Sequence, residues 1–401
     1  MNNKFYYLQY IMFIAPLLWL VSGMILIPDG DTYMGVVCLL SSLLIVLIKG
    51  KPNFWQSLKK DKVLLVYVSY LSYAVFSYYY HGYSSRELKA ILFSTLYLVV
   101  FPREMYSQKL LSSMVVIGSV VLTVLSYYQY FFLDMSRVGG HINPNVMAAY
   151  SGILCVLCAC FGLYSTDYRR RILFGFLFLL SITSVTMTLT RGVVMPLLFV
   201  FLVLLVFRYI RVSKKKLLLF CLLTMFFAIF ISKVFFQERL KHIEMEVDMI
   251  AEGNLNSSLG MRFQLWGASY YSIFERPVLG LGDDYESEFY SYYKQGLITE
   301  HLFKATGVQS HYHNQYIDKL VKYGFLGVVV LILLMLSPVF YSFSFRSPSL
   351  YGMAILGIVL HLSFAGLTDV PLNHSYIVYM YFLFMFICLK LEDKRRNNVE
   401  G

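Results

Sequence analysis

Long apolar runs separated by short polar stretches make up most of this 401-residue chain. A helix needs about 20 mostly apolar residues to cross a bilayer, and inside the bilayer a helix satisfies its own backbone polar groups. The pattern therefore predicts an all-α integral membrane protein with about 12 transmembrane helices. The predicted spans are 9–28, 33–49, 62–80, 88–102, 110–133, 146–165, 171–190, 193–210, 216–236, 323–343, 350–368 and 375–391. The first run follows one lysine and lacks a small-residue cleavage site, so we expect a retained helix and not a signal peptide.

One long polar stretch, residues 237–312, interrupts this pattern and holds 11 of the 23 acidic residues. Helical periodicity predicts an amphipathic helix over 238–252 and a second helix over 259–274. Residues 285–293 then mix acids with aromatics, which suit sugar rings and the headgroup belt equally well. We expect spans 1–9 in residues 1–236 and a large, mostly helical loop subdomain in 237–312. Residues 313–401 would hold a helix extension, spans 10–12 and a basic tail.

The basic residues predict how the chain is oriented. If the N-terminus is cytoplasmic, the cytoplasmic segments carry 21 Lys and Arg, and the short exterior loops carry four. This asymmetry follows the positive-inside rule. It predicts that both termini are cytoplasmic and that loop 237–312 is on the outer side.

Composition excludes several classes of function. With 58% hydrophobic and 14% charged residues, the chain is too apolar for a soluble globule. Its net charge of +11 reflects topology and attraction to anionic membrane lipids, so we expect no nucleic-acid partner. All six cysteines lie in apolar runs, where Cys155, Cys158 and Cys160 are best interpreted as small buried residues rather than metal ligands.

Two arginines are candidates for binding an anion. Arg191 lies in the tight connection Thr190-Arg191-Gly192 between two apolar runs, where an unpaired charge is costly and therefore often functional. The alternative is an arginine that snorkels from a helix end. Arg262 begins the second loop helix and can bind phosphate bidentately, although a surface salt bridge explains it equally simply.

A histidine cluster precedes the tenth span. In His311-Tyr312-His313-Asn314, a histidine near a helix N-terminus is kept neutral by the helix dipole and can accept a proton. His-x-His is also a possible metal pair, but the sequence offers no obvious third ligand nearby, so we expect no metal. A purely structural histidine is the simpler alternative.

Further polar residues lie in connections predicted on the same side. His141 and Asn145 belong to the turn 137–145 and are candidates for hydrogen bonds to a ligand, as are Asp369 and His374 between the last two spans. No phosphate-binding loop and no Ser/His/Asp order is present. His361 is the single plausible ionisable group within a span, and a proton-coupled transporter normally needs such a group.

Together these clusters resemble the O-antigen ligase and polymerase superfamily, the membrane enzymes of surface polysaccharide assembly. The twelve-span layout with a large loop after span nine is also similar. The matching motifs are Gly140-His141-Ile142-Asn143-Pro144-Asn145, Thr190-Arg191-Gly192, Leu259-Gly260-Met261-Arg262, Pro277-Val278-Leu279-Gly280-Leu281-Gly282 and His313-Asn314 through Gly324-Phe325-Leu326-Gly327.

The resemblance implies metal-independent glycosyl transfer, without a cofactor, at the periplasmic face of a bacterial inner membrane. The donor would be a glycan on undecaprenyl pyrophosphate, and the acceptor a hydroxyl of a lipid A-core sugar. Arg191 and Arg262 would bind the pyrophosphate, and His313 would be the general base or orient the acceptor. His311 departs from the family pattern of a single histidine before asparagine. His311, Asn314, His141, Asn145 and Asp369 would contact substrate.

Several functions stay open at this point. An O-antigen polymerase of the same superfamily would use a second lipid-linked glycan as the acceptor, and a third class would glycosylate protein hydroxyls. The concentration of polar chemistry in one loop favours the ligase. A lipid-linked sugar transporter or flippase would need a polar central cavity, which the apolar spans do not suggest. The oligomeric state is open.

Overall fold

A computed structural model describes residues 3–50, 61–82, 84–210, 215, 218, 222, 237–306, 311–344 and 348–400. Within these residues the chain forms helices and no strand, as the apolar pattern predicts. Eight helices are long and apolar enough to cross a membrane, and Tyr7–Leu20 and Leu350–Ala365 are shorter apolar helices. The protein is therefore an all-α, multi-pass membrane protein.

The helices before the loop are α1 to α9. Their bounds are α1 Asn3–Leu20, α2 Gly23–Leu26, α3 Gly30–Lys49, α4 Lys62–His81, α5 Ser85–Val100, α6 Gln108–Phe131, α7 Pro144–Tyr164, α8 Tyr168–Met187 and α9 Arg191–Tyr209. The first predicted span, 9–28, is divided between α1 and the short helix α2. The ninth predicted span, 216–236, lies outside the described residues.

The loop contains α10 to α13, and the last part of the chain contains α14 to α16. Their bounds are α10 Gln237–Ala251, α11 Ser258–Glu275, α12 Tyr285–Lys294, α13 Glu300–Thr306, α14 Gln315–Ser342, α15 Leu350–Ala365 and α16 Ser375–Glu400. The two predicted loop helices coincide with α10 and α11, and the aromatic stretch is α12. Helix α13 was not predicted. Eleven of the twelve predicted spans therefore coincide with described helices.

Helices α7 and α16 form the centre of the bundle and are buried on nearly every face. Helix α7 packs against α8, α9 and α15, and small residues along it let those backbones approach. Gly152 is one of them, because a Cβ there would collide with the ring of His361 on α15. His361 lies against the Ala149 carbonyl, at 3.3 Å, so it packs the bundle centre.

The loop is attached to the bundle through a break in α14. At Gly324, with φ of 63°, the helix is interrupted, and the amides of Phe325 and Leu326 lose their usual partners one turn back. They donate instead to the carbonyls of Pro277 and Val278, at 2.8 and 3.1 Å. The amide of Leu281 donates to the freed carbonyl of Val321 at 2.9 Å. Segment 277–281 thus replaces the missing turn.

Two side chains of α4 hold both halves of this connection, the loop segment and the broken part of α14. The His81 ring lies 2.8 Å from the Leu279 carbonyl, and Tyr73 donates to the Tyr323 carbonyl at 2.7 Å. Both side chains belong to α4. The sequence motifs around Pro277 and Gly324 are therefore two halves of one joint between loop and bundle.

Gly324→Ala should destabilise the protein by roughly 2–5 kcal/mol, because left-handed backbone strain adds to a collision. Its new Cβ would meet the backbone of Val278 and Leu279. Gly296→Ala is the matched control, since Gly296 has φ of 71° and nothing within 4 Å of the added Cβ. Thermal unfolding midpoints in detergent, followed by tryptophan fluorescence, compare the two. Equal midpoints would show that the joint is not tightly packed.

Candidate functional site

The histidine cluster lies at the start of α14, held by contacts on both sides. Asn314 is the N-cap, and its side-chain oxygen accepts from the amides of Tyr316 and Ile317 at 3.0 and 3.1 Å. The carbonyl of the buried Tyr312 accepts from the Trp266 indole at 2.8 Å. His313, between them, has φ of 47°, a left-handed conformation that is costly for a residue with a side chain. The fold therefore presents His313 in one strained, fixed orientation.

The connection between α15 and α16 brings Asp369 to these histidines. Nε2 of His311 lies 3.5 Å from a carboxylate oxygen of Asp369, and the rings of His311 and His313 are centred 4.2 Å apart. The His374 ring is centred 6.5 Å from that of His311. Ligand atoms of His311, His313 and Asp369 all lie within 4.8 Å of one another. Asp369 is thus a potential third metal ligand, which the sequence around the two histidines does not contain.

Polar contacts fasten this connection to α14. The Gln315 amide donates to the Gly366 carbonyl at 2.7 Å, and its side chain donates to Asn373 at 2.8 Å and accepts from the Leu372 amide at 2.8 Å. The Asn314 side chain donates to the Leu367 carbonyl at 3.2 Å. Asn314 was predicted to bind substrate. In the structure its side chain caps α14 and holds the connection that carries Asp369.

Arg191 and Arg262 lie close enough for their charges to interact, and Arg262 also acts on His313. Arg191 is the first residue of α9, and Gly192 packs so closely on Thr368 that a Cβ would collide with its hydroxyl. Both side chains are half-buried, and in the described part of the chain neither guanidinium has a hydrogen bond or an ion pair. Half-buried cations normally acquire partners. This pair is therefore suited to bind an anion.

Burial and neighbouring charges set the electrostatics of the site. Burial lowers the pKa of Arg262, as does the charge of Arg191, whereas Asp369 and Glu246 raise it. Burial, and then the charge of His311, lower the pKa of His313 to about 4. Burial alone would raise the pKa of Asp369, but His311 and His374 bring it below its usual value. At neutral pH the site therefore places the cations Arg191 and Arg262 and the carboxylate of Asp369 around a neutral His313.

The low pKa of His313 has a different main cause from the one expected from the sequence. The helix dipole was expected to keep this imidazole neutral. Burial in the folded site lowers the pKa further, and the nearby charge of Arg262 acts in the same direction. Nδ1 of His313 is also buried with no hydrogen-bond partner among the described residues.

His141 and Asn145, the two candidates from turn 137–145, lie at different distances from the site. The Asn145 side chain accepts from Arg137 at 2.5 Å and from the Thr190 hydroxyl at 3.3 Å, so it supports the connection that carries Arg191. Arg137 also donates to the Thr188 carbonyl at 2.9 Å. His141 is exposed, and none of the contacts described for the cluster involves it. The structure thus brings Asn145 to the base of the site, and His141 stays outside the cluster.

Two buried ion pairs lie just below the site in the first turns of α14. The Lys319 ammonium is 2.7 and 2.8 Å from the two oxygens of Glu87 on α5, and the Tyr70 hydroxyl donates to the same carboxylate at 2.9 Å. Lys322 is 3.0 Å from Asp318, which also accepts from the Tyr312 amide at 3.3 Å. Sequence reasoning missed these pairs. The one available signal was the placement of Asp318, Lys319 and Lys322 on neighbouring turns ahead of an apolar run.

Removing one charge of the buried pair Glu87 and Lys319 should destabilise the protein far more than removing both charges. Lys319→Met and Glu87→Gln each leave one buried charge without its counter-ion and should destabilise by about 3–5 kcal/mol. The double variant leaves neither charge buried and should be more stable than the sum of the single effects predicts. Thermal unfolding in detergent measures all three.

The exposed pair Glu300 and Lys304 on α13 provides the control, 2.6 Å apart. Glu300→Gln and Lys304→Met should leave the unfolding midpoint unchanged, because solvent screens exposed pairs. Strictly additive effects at Glu87 and Lys319 would contradict the coupling.

Part of the chain matches a known protein family. Residues 176–332, which include α9, the loop helices and the start of α14, match the family described as O-antigen ligase. A protein of Haemophilus influenzae described as uncharacterized is 26% identical over 389 residues, which cover 90% of this chain and 94% of that protein. The matched segment contains Arg191, Arg262 and His313, three of the residues that carried the resemblance. This match supports a place for the chain in the O-antigen ligase superfamily, whose members are membrane enzymes that transfer glycans.

Proposed function

We propose that this protein is an O-antigen ligase. It would transfer a glycan from undecaprenyl pyrophosphate to a hydroxyl of a lipid A-core sugar, at the periplasmic face of a bacterial inner membrane. The observation that carries the proposal is the unpaired, half-buried arginine pair beside a neutral histidine. A lipid-linked pyrophosphate supplies the anion that such a pair lacks.

The donor would be bound through its pyrophosphate. Arg191 and Arg262 would pair with the phosphate oxygens, Arg262 bidentately, while Asp369 limits the positive charge of the empty site. When the bond between the anomeric carbon and the pyrophosphate oxygen breaks, the leaving group gains negative charge. The two guanidinium groups would stabilise that charge, which removes the need for a metal ion.

His313 would act on the acceptor. The acceptor hydroxyl oxygen attacks the anomeric carbon, its proton passes to an imidazole nitrogen of His313, and undecaprenyl pyrophosphate departs. Direct displacement inverts the anomeric centre, so NMR analysis of the product linkage tests this step, and a retained configuration would exclude it. A bound pyrophosphate also favours the imidazolium, so donor binding should raise the low pKa of His313 toward the range of an effective base.

The orientation of the chain supports this placement. The positive-inside asymmetry predicts the loop on the outer side, and the predicted outer connections that carry Arg191 and Asp369 meet the loop at the same end of the bundle. Donor and acceptor are both lipid-anchored, so a site at the mouth of the bundle suits substrates that arrive within the membrane. Residues 1–236, 237–312 and 313–401 would form the first membrane part, the loop and the second membrane part.

His313→Ala should lower the transfer rate about 10²–10⁴-fold, because general base help is lost. The assay combines purified protein, undecaprenyl pyrophosphate-glycan and rough lipopolysaccharide in the presence of EDTA. His301→Ala is the control, because His301 is an exposed histidine of the same loop and should keep parental activity. Glycan lengthening on the carrier would identify a polymerase. Donor binding without transfer to any acceptor would instead support a lipid-linked sugar transporter.

Arg191→Ala and Arg262→Ala should each lower turnover about 10²–10³-fold, the usual effect of removing one donor that stabilises a developing charge. Arg262→Lys should recover only part of the loss, since lysine keeps the charge but cannot bind bidentately. Arg276→Ala is the matched control, because Arg276 follows the same helix α11 and forms a mostly exposed pair with Asp284 at 3.0 Å. Turnover is measured in the same assay at saturating acceptor. Equal losses in the Arg276 and Arg262 variants would contradict the pyrophosphate role.

A further inference from the structure

Three potential metal ligands converge within the site. His311 and His313 come from the segment before α14, and Asp369 comes from the connection before α16. Two ligands roughly 2.1 Å from a tetrahedral ion lie about 3.4 Å apart. The 3.5 Å between Nε2 of His311 and the Asp369 carboxylate is close to that spacing. All three ligand atoms lie within 4.8 Å, so a small side-chain adjustment completes the triangle.

The backbone of this cluster is held in place before any ion arrives. The left-handed conformation of His313 and the Asn314 cap fix one side. On the other side, Asp369 accepts from the Val370 amide at 2.9 Å, and the Gly366 carbonyl is bonded to Gln315. The unpartnered, buried Nδ1 of His313 is an independent sign that this imidazole has unused binding capacity.

The donor set selects the class of ion. Two imidazoles and one carboxylate suit Zn²⁺, whereas Mg²⁺ and Ca²⁺ prefer oxygen ligands. Three protein ligands leave one tetrahedral position open for water or a ligand. Asp318 lies close enough to act on both histidines and adds negative charge, whereas Arg262 opposes a cation. We therefore expect moderate affinity instead of the tight binding of a structural zinc site.

We propose that His311, His313 and Asp369 bind Zn²⁺ and that the bound ion inhibits the enzyme. The inhibitory part rests on the proposed function. Zn²⁺ occupies an imidazole lone pair of His313, so the base can no longer take a proton from the acceptor hydroxyl. The ion also binds Asp369, the carboxylate that faces Arg262, and thereby adds positive charge where the acceptor must enter.

Zinc binding is tested on the full-length protein in detergent, without a polyhistidine tag, by competition with a chromophoric zinc indicator. His311→Ala and Asp369→Asn should each weaken Zn²⁺ binding about tenfold or more, because each removes one of three ligands. Asp369→Asn is nearly isosteric and guards against a folding artefact, and both variants are first shown to elute as the parent does on gel filtration. His301→Ala, on the surface of α13, should bind as the parent does. Equal zinc affinity in all four proteins would overturn the site.

A second measurement separates the metal site from the enzyme assignment. Adding ZnCl₂ to the parent protein should reduce glycan transfer, and excess EDTA should restore it. Zinc binding through the three residues in a protein that never transfers glycan would retain the metal site and reject the proposed function. Transfer that zinc leaves unchanged at saturating occupancy would overturn the inhibition.

Discussion

The buried ion pair between Lys319 and Glu87 is the interaction on which the site depends most. Both side chains are almost completely removed from solvent, and they join α14 to α5 across 232 positions of sequence. In a low-dielectric setting, each charge is tolerable mainly because the other is present. The pair therefore fixes the first turns of α14, and with them the Asn314 cap, the strained His313 and the carbonyl of Tyr312. Lys322 and Asp318 add a second pair one turn further and reach back to the Tyr312 amide.

A backbone joint completes what the ion pairs begin. A membrane helix that stops hydrogen bonding must find other partners for its polar groups. At Gly324 the partners are the carbonyls of Pro277 and Val278, supplied by the loop. Since α11 carries Arg262 and ends just before this segment, the joint also sets how far Arg262 lies from His313. The positions of Arg262 and His313 therefore both depend on how α14 packs against the loop.

The sequence predicted the parts of this molecule that depend on local pattern. Apolar length located eleven described helices, eight of them long enough to cross a membrane, and helical periodicity located α10 and α11, because each is a property of consecutive residues. The sequence could not predict the contact between His311 and Asp369. The two residues are 58 positions apart, and their contact depends on how α14, α15 and α16 pack. The same holds for Glu87, because its partner Lys319 lies 232 positions further along the chain. Asn314 and Asn145 were predicted to contact substrate, but the sequence cannot show that their side chains form hydrogen bonds within the protein.

Without a ligand, the charges of the site are unfavourable for both His313 and the two arginines. A histidine with a pKa of about 4 is a weak base, and two unpaired guanidinium groups side by side repel each other. An anionic ligand between them relieves both problems at once, because it neutralises the arginines and favours the imidazolium. A carboxylate alone, such as Asp369, relieves only part of the repulsion. Under the proposed function, a pyrophosphate would relieve this unfavourable arrangement of charges, so its binding would also make His313 a more effective base.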